Sequence, residues 1–399
     1  MSTSGVRRSK KTKVKPPKSR PETTFSTTHD ATSSRGLSQF SWDGEHFAFL
    51  SLSVDKHRLR IYNTQMSQSI AEHVVDPGRV TCLQWSCLDL AGNEDGPAGD
   101  PGTPSPSKKK RKTRDITASE PKQTSPGIHI VLLGSSDGSI SCFSHSHGRV
   151  IRVLSHAKNV TPVHALATSN SPSHRHDLWS TDAEGSIFCW DVRTGEVVGT
   201  WRSGSTTPYS AIALRPSTDE DAPLQLVAAH RSVQLLSLDP SRLNTTSKVK
   251  ELATFTGHAS LISNIYWGAP SRFITFAESD RFLYVWEIPG ADSNQGHIVF
   301  SASLDSDIRS LSFSASQLLA ISASGRISIF SLPASSPSRN VVNLEPVSTI
   351  IVSHKKHSAN AEVVAASFIP RGQIWIATIS GGVKPVFDTA VRDVFLSSI

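Results

Sequence analysis

The hydrophobic pattern of this chain changes near residue 36. Residues 1–35 are rich in Ser, Thr, Lys and Pro and show no apolar periodicity, a composition that cannot bury enough surface to offset chain entropy. From Gly36 onward, short alternating apolar runs such as HFAFLSLSV and HRLRIYN are separated by Gly, Asp, Ser and Pro. Alternation with a period of two is typical of β-strands joined by tight turns. The pattern predicts a disordered tail over residues 1–35 and an all-β domain over residues 36–399.

The strand pattern recurs seven times along the domain. Each repeat is an apolar strand, a turn and a second strand that ends in a bulky residue, and these residues are Tyr62, Phe143, Trp190, Leu236, Trp286, Phe330 and Phe387. Their successive spacings are 81, 47, 46, 50, 44 and 57 residues. A propeller blade repeats about every 40 to 50 residues, so five of the six spacings fit one blade plus a loop. We predict a seven-bladed β-propeller, in which radial repetition lets neighbouring sheets cover each other.

The long first spacing contains residues 88–127, which are rich in Gly, Pro, Ser, Thr and Lys and show no strand pattern. Removing about 40 residues brings the spacing back to one blade. We therefore predict that residues 88–127 form a disordered basic loop insertion.

The fifth repeat has the clearest motif, TGHASLISNIYWGAPSRFITFAESDRFLYVWEI. It resembles a WD repeat, with a Gly-His pair (Gly257, His258), a turn aspartate (Asp280) and Trp286. In WD repeats the His, the turn Asp and the Trp belong to a buried hydrogen-bond network that links the strands, so these residues are expected to be structural. The hydroxyl residue that completes the network is not evident, and Thr275 is only a nearby candidate. A partial network is expected here.

The third repeat keeps Trp190-Asp191 after DAEGS, with Ser155-His156 in place of the Gly-His pair. The last keeps Phe387-Asp388 after Ser353-His354. The first, second, fourth and sixth repeats are degenerate. A single WD dipeptide is weak evidence, whereas seven repeats in phase favour a WD-repeat ring.

Several segments resemble one particular family. They are FTGHASLISNIYW, RFITFAESDRFLYVWEI, PLQLVAAHRSVQLLSL, PSPSKKKRKTR followed by IHIVLLGSSDGSISCFS, and AEVVAASFIPRGQIWIATISGG. Over roughly residues 36–390 the chain resembles the WD-repeat subunit of the UtpA subcomplex, the Utp-five or WD-repeat-protein-43 family. The resemblance implies a subunit of the small-subunit processome, which assembles on the 5′ part of the nascent ribosomal RNA precursor in the nucleolus. That family continues into a helical C-terminal domain, which we expect to be absent from this chain.

Positive charge is concentrated in two segments. The net charge is +7, from 41 basic and 34 acidic residues. Eight of the basic residues lie in residues 1–21 and six in residues 108–114, so the other 27 leave the body with about −7. These runs suit nuclear import or phosphate contact with RNA, although a solvated charge run is the plain alternative. The candidate residues are Lys108, Lys109, Lys110, Arg111, Lys112, Arg114, Arg7, Arg8, Lys10 and Lys11.

The sequence contains few features of an enzyme or of a metal site. It contains no GxSxG, GxxxxGK[ST] or strand-linked GxGxxG motif, and its four cysteines are scattered without CxxC spacing. His174, His176, His354 and His357 lack the spacing of a zinc finger or an HExxH site. No apolar run is long enough to span a bilayer. We expect no enzyme activity, cofactor, metal site, small-molecule substrate or membrane contact.

The leading hypothesis is a non-catalytic nuclear scaffold. The expected partners are other UtpA proteins, an import receptor and the 5′ region of the ribosomal RNA precursor. Two alternatives stay open: a peptide- or histone-reading propeller of a chromatin complex, and direct RNA recognition by the ring. Either DVFLSSI or a segment around Thr23 to Ser26 could supply the strand that closes the ring.

Overall fold

A computed structural model describes this chain over most of residues 38–386. The ranges left out within that span are 42, 53–56, 67, 76–78, 89–127, 156–160, 170–175, 203–206, 217–223, 239–245, 278, 291–292, 315, 335–339, 352–362, 369–373 and 379–382. The regular structure of the described residues consists of 29 β-strands. Within these residues, no helix is long and apolar enough to cross a membrane.

The strands form seven sheets in chain order, which we number blades 1 to 7. The strands of blades 1 to 4 are β1 (Ser38–Phe40), β2 (His46–Leu52), β3 (His57–Asn63) and β4 (Gln68–Val75) in blade 1; β5 (Val80–Leu88), β6 (Ile128–Ser135), β7 (Ile140–Ser144) and β8 (Arg149–Leu154) in blade 2; β9 (Val163–Thr168), β10 (Asp177–Asp182), β11 (Ser186–Asp191), β12 (Glu196–Arg202) and, added outside, β16 (Thr246–Lys248) in blade 3; and β13 (Ala211–Leu214), β14 (Leu224–Ala229), β15 (Val233–Leu238) and β17 (Lys250–Phe255) in blade 4.

The remaining sheets follow the same plan. Their strands are β18 (Ile262–Ala269), β19 (Arg272–Ala277), β20 (Phe282–Glu287), β21 (His297–Ser303) and, added outside, β25 (Val342–Asn343) in blade 5; β22 (Ile308–Ser314), β23 (Gln317–Ser322), β24 (Arg326–Ser331) and β26 (Ser348–Ile351) in blade 6; and β27 (Val363–Phe368), β28 (Ile374–Thr378) and β29 (Val383–Val386) in blade 7.

Within each blade, consecutive strands pair antiparallel. In at least six of the seven pairs of neighbouring blades, the first strands contact each other, which places the first strands at the centre of the ring. Two connections reach across to the preceding blade. β16 lies between β15 and β17 in the chain but pairs in parallel with β12, and β25 pairs likewise with β21.

Apolar side chains fill the spaces between blades. The described buried residues form seven clusters, and each cluster joins two neighbouring blades. The second strands are nearly continuous apolar runs because both of their faces are covered. In β2, Ala48 and Leu50 pack towards blade 2, whereas Phe47 and Phe49 pack towards Trp375 of blade 7. This last cluster joins the first blade to the last, so the ring is closed.

The prediction of a WD-repeat β-propeller is confirmed. Six blades have four or five strands, and the seventh sheet has three among the described residues. The bulky residues of the first six repeats all lie on the third strand of their blade. In blades 1 to 5, the pairing of the third strand with the fourth shifts by one residue directly before the bulky residue. This bulge locally increases the strand twist. It occurs at the same position in each of these five blades.

Several predictions fall outside the described residues. They concern Phe387, the disordered tail of residues 1–35, and both candidate segments for closing the outer edge of blade 7. The predicted insertion lies between β5 and β6 of blade 2. Leu88, its first predicted residue, is instead the last residue of β5 and pairs directly with Ile128. The other residues of the predicted insertion, 89–127, lie outside the described residues, so their disorder stays a prediction.

Candidate functional sites on the two loop faces

The strand order gives the ring two loop faces. We call the four strands of a blade a to d from the centre outwards. Loops joining b to c, and d to the a strand of the next blade, lie on one side, which we call the relay face. Loops joining a to b and c to d lie on the other side, which we call the insertion face because the a strand and b strand of blade 2 flank residues 89–127.

The relay face of blade 5 contains a complete hydrogen-bonded chain of side chains. Trp286 Nε1 lies 2.7 Å from Thr275 Oγ1, and the same oxygen lies 2.7 Å from His258 Nε2. His258 Nδ1 lies 3.2 Å from Asp280 Oδ2. The relay therefore joins strand c, strand b, the d–a loop and the b–c turn. The expectation of a partial network was wrong, because Thr275 completes it.

The directions of these hydrogen bonds follow from the groups themselves. An indole N–H can only donate, so Thr275 Oγ1 accepts from Trp286 and donates its single proton to His258 Nε2. His258 Nδ1–H then donates to Asp280. Burial lowers the pKa of His258, against the opposing effect of Asp280, and this keeps the neutral ring that the relay requires. Asp280 also accepts the backbone N–H of Phe282 at 3.0 Å, which fixes the b–c turn.

Close packing surrounds the relay. Thr275 is 0% exposed and Trp286 1% exposed. A Cβ atom on Gly257 would lie 3.0 Å from both Trp286 Cη2 and Ile298 Cδ1, closer than ordinary carbon contacts. The glycine of the Gly-His pair therefore lets the loop approach the indole.

Blade 3 retains part of the same arrangement. Trp190 Nε1 donates to Ser180 Oγ at 2.8 Å. Asp182 accepts the backbone N–H groups of Glu184 and Ser186 at 2.9 and 2.8 Å, which holds the b–c turn. Asp191, the Asp of the Trp-Asp pair, instead accepts the backbone N–H of Arg193 at 2.8 Å in the c–d turn. His156, the predicted counterpart of His258, lies outside the described residues.

The strand register explains where a hydroxyl occurs. Trp286 pairs across the sheet with Phe273, Trp190 with Leu178, and Phe330 of blade 6 with Leu318. Two residues after each of these partners stand Thr275, Ser180 and Ala320. The hydroxyl is present where an indole N–H must be satisfied and absent where a phenyl ring needs no acceptor.

Two degenerate blades link the same loops with other groups. In blade 2, Arg79 of the d–a loop forms an ion pair with Asp137 of the b–c turn. In blade 6, Ser324 Oγ of the b–c turn donates to Asp305 Oδ2 of the d–a loop at 2.7 Å. Although burial acts to raise the pKa of Asp305, hydrogen bonds from Ser322 and Ser324 and the charge of Arg326 lower it overall. Motif reasoning missed these links because neither contains a Gly-His pair or a Trp.

The insertion face contains a cluster of ionisable side chains at the seam between blades 1 and 2. Asp43 lies in the a–b loop of blade 1, and His46 begins β2. His129 follows the first residue of β6, and His145 follows β7. His129 Nε2 lies 3.5 Å from Asp43 Oδ2, and the rings of His46 and His145 have centroids 4.5 Å apart. The sequence did not predict this cluster, since its members belong to different repeats.

The structure describes only some of the predicted site residues. It brings together Gly257, His258, Asp280 and Trp286, and it places Trp190 and Asp191 in blade 3. The ten basic candidates, Lys108 to Lys112, Arg114, Arg7, Arg8, Lys10 and Lys11, lie outside the described residues, as do His174, His354 and His357. Of the four cysteines, Cys82, Cys142 and Cys189 are buried, and burial raises the pKa of each thiol.

Comparison with known proteins places this ring among its relatives. No family model matches the sequence. The chain is 24% identical over 319 residues to U3 small nucleolar RNA-associated protein 5 of Saccharomyces cerevisiae (strain ATCC 204508 / S288c), a match that covers 75% of this chain. The chain spans about 40% of the length of that curated relative.

A solved structure supports the fold. One chain of the crystal structure titled "Crystal Structure of Mitotic Checkpoint Complex" superposes with a TM-score of 0.57, over 89% of this chain and 88% of that one, at 16% sequence identity. A similarity at that identity concerns the fold alone. The sequence match agrees with the resemblance found in the sequence, and the closed ring and the solved structure together show that this chain is a β-propeller of the WD-repeat kind.

Proposed function

We propose that this chain is a non-catalytic scaffold subunit of the nucleolar small-subunit processome, acting in ribosomal RNA precursor processing and small ribosomal subunit biogenesis. The observation that carries the proposal is the sequence match to a protein named for association with U3 small nucleolar RNA, over 75% of this chain. The matched part covers most of the closed ring, so the ring is the part of the molecule that we expect to bind its partners.

The ring suits a scaffold because its loops are held by the folded core. The relay of blade 5, the Arg79–Asp137 pair and the Asp305–Ser324 bond each join two loops of the relay face. Loops fixed in this way lose little conformational entropy when a partner binds, which favours affinity. We expect other UtpA proteins to bind these loops and the outer strands.

The two basic segments are the parts of the chain that we expect to bind the import receptor and RNA. The body of the chain outside residues 1–21 and 108–114 carries about −7, so its net charge repels RNA phosphates. We assign import-receptor binding, and contact with the 5′ region of the ribosomal RNA precursor, to the two basic segments. Phosphate contacts release counterions and therefore weaken steeply with salt.

Affinity purification of the tagged full chain from nuclei tests the scaffold proposal. We expect recovery of U3 RNA, ribosomal RNA precursor and UtpA proteins, identified by RNA sequencing and mass spectrometry. Recovery of modified histone peptides without U3 RNA would contradict the proposal and favour the chromatin-reader alternative. Imaging of the same tagged chain should show nucleolar signal.

A charge-neutralised variant tests the basic segments. In the full chain, the six Lys and Arg residues of 108–114 are replaced by Gln, and a Ser105→Ala, Ser107→Ala variant is the matched control. We expect reduced nuclear import and weaker binding to precursor RNA at low salt for the Gln variant only. Unchanged import and RNA affinity after neutralising both 108–114 and 1–21 would contradict the assignment.

A further inference from the structure

The histidine and aspartate cluster on the insertion face has the spacing of a metal site. Asp43, His46 and His129 each offer one ligand atom, and these atoms all lie within 4.8 Å of one another. Two ligand atoms bound at about 2.0 to 2.1 Å to a tetrahedral zinc ion lie roughly 3.4 Å apart. The 3.5 Å between His129 Nε2 and Asp43 Oδ2 already matches that separation.

The carboxylate of Asp43 is oriented by its neighbours. Its Oδ1 accepts hydrogen bonds from Ser41 Oγ at 2.5 Å and from the backbone N–H of Glu45 at 3.0 Å. These bonds leave Oδ2 directed at His129. Metal ligands are commonly held in place by such outer hydrogen bonds, and a carboxylate fixed by one oxygen can bind through the other.

His46 has a buried ring nitrogen that is available as a ligand. Its Nδ1 is buried and has no hydrogen-bond partner among the described residues, which is costly for a buried polar atom. Coordination of a metal ion by an imidazole nitrogen of His46 would add a further ligand to the Asp43–His129 pair.

We propose that Asp43, His46 and His129 bind one divalent transition-metal ion of the zinc type across the seam between blades 1 and 2. His145 lies next to these three residues. Its Nδ1 lies 3.3 Å from the backbone oxygen of His129, and its ring lies beside that of His46. Imidazole and carboxylate ligands suit zinc, whereas calcium and magnesium prefer ligand sets made of oxygen.

The ion would connect two parts of the ring that belong to different repeats. Asp43 and His46 lie at the a–b loop of blade 1, while His129 lies next to Ile128, where the chain returns to blade 2 after residues 89–127. The bound ion would therefore tie blade 1 to the base of the basic insertion.

Metal binding is measured on the untagged full chain after removal of metals with a chelator. We expect isothermal titration with Zn²⁺ and native mass spectrometry to show one high-affinity site, and Co²⁺ to give the visible absorption of tetrahedral coordination. Asp43→Asn and His129→Asn should each weaken Zn²⁺ binding by about 100-fold or more, by comparison with the 10- to 100-fold effect of losing an outer-shell partner. His297→Asn, on an exposed histidine of blade 5, is the matched control and should bind like the parent.

Thermal unfolding separates loss of the site from loss of the fold. Without metal, Asp43→Asn should keep the circular dichroism of the parent. Added Zn²⁺ should raise the unfolding temperature of the parent and of His297→Asn, because an ion that binds only the folded state stabilises it. Failure of the parent to bind Zn²⁺, or equal affinity in the parent and both cluster variants, would overturn the proposal.

Discussion

Blades 5 and 6 are built on the same strand order, but they hold their relay-face loops in different ways. Blade 5 uses a buried relay that runs from Trp286 through Thr275 and His258 to Asp280. Blade 6 has Phe330 and Ala320 at the positions of Trp286 and Thr275, and joins its loops near the surface through Asp305 and Ser324. The difference shows that the hydroxyl of strand b is present to satisfy the indole, not to form the blade.

This comparison predicts which substitutions lower the free energy of unfolding most. A relay that satisfies several buried polar groups fails when one member is removed, because the remaining groups keep the cost of desolvation without their hydrogen bonds. A substitution in a half-exposed link should cost little stability, since water replaces the lost hydrogen-bond partner.

Thr275→Val should have the largest effect. The change keeps the side-chain shape but leaves the indole N–H of Trp286 and the Nε2 of His258 without their shared partner. Two unsatisfied buried groups at about 1 to 3 kcal/mol each give an expected loss of about 3 kcal/mol in the free energy of unfolding, measured in urea. Thr200→Val, at a half-buried position of the fourth strand of blade 3, is the matched control and should lose less than about 1 kcal/mol. Equal losses in the two variants would contradict the role of the relay.

Ser180→Ala should cost about 2 kcal/mol in the same urea assay. It leaves only the Trp190 N–H unsatisfied, which is one group instead of two. Trp190→Phe removes that donor, so the double variant should lose less than the sum of the two single-variant losses. If Trp190→Phe makes the loss larger by its full single-variant cost, the hydroxyl does not serve the indole.

Gly257→Ala should cost about 1 kcal/mol or slightly more, because the added Cβ lies 3.0 Å from both Trp286 and Ile298 and strains a packed site. Gly290→Ala is the matched control, since nothing lies within 4 Å of a Cβ there. The two unfolding temperatures should therefore differ. Equal temperatures would show that the loop next to Trp286 has room to move.

Asp305→Asn should have the smallest effect, below about 1 kcal/mol at neutral pH, because the Asp305 and Arg326 side chains are 30% and 44% exposed and solvent weakens the interaction of exposed ion pairs. The pKa of Asp305 is lower in the folded state than its ordinary value. Its contribution is therefore complete above the ordinary aspartate pKa and is lost as the pH falls through the lowered pKa. The stability difference between parent and variant, measured from about pH 6 to about pH 3, should shrink on acidification. A constant difference would show that the charge of Asp305 plays no part.

The features that depend on a single repeat could be predicted from the sequence. The apolar alternation predicted the strands, and the spacing of the bulky residues predicted the blades, because each blade is a local unit of consecutive hairpins. Sequence reasoning failed where residues of different strands or blades combine. Thr275 was uncertain because only the register with Trp286 shows its role, and the Asp43, His46 and His129 cluster requires two blades to be packed side by side.

A double-mutant cycle at Thr275 and Trp286 gives the most direct test of the claim that the buried relay of blade 5 acts as one unit. The free energy of unfolding is measured for the parent, Thr275→Val, Trp286→Phe and the double variant. If the two side chains form one unit, the double variant loses less than the sum of the single losses, with a coupling of about 1 kcal/mol or more. Additive losses, within about 0.5 kcal/mol, would contradict it.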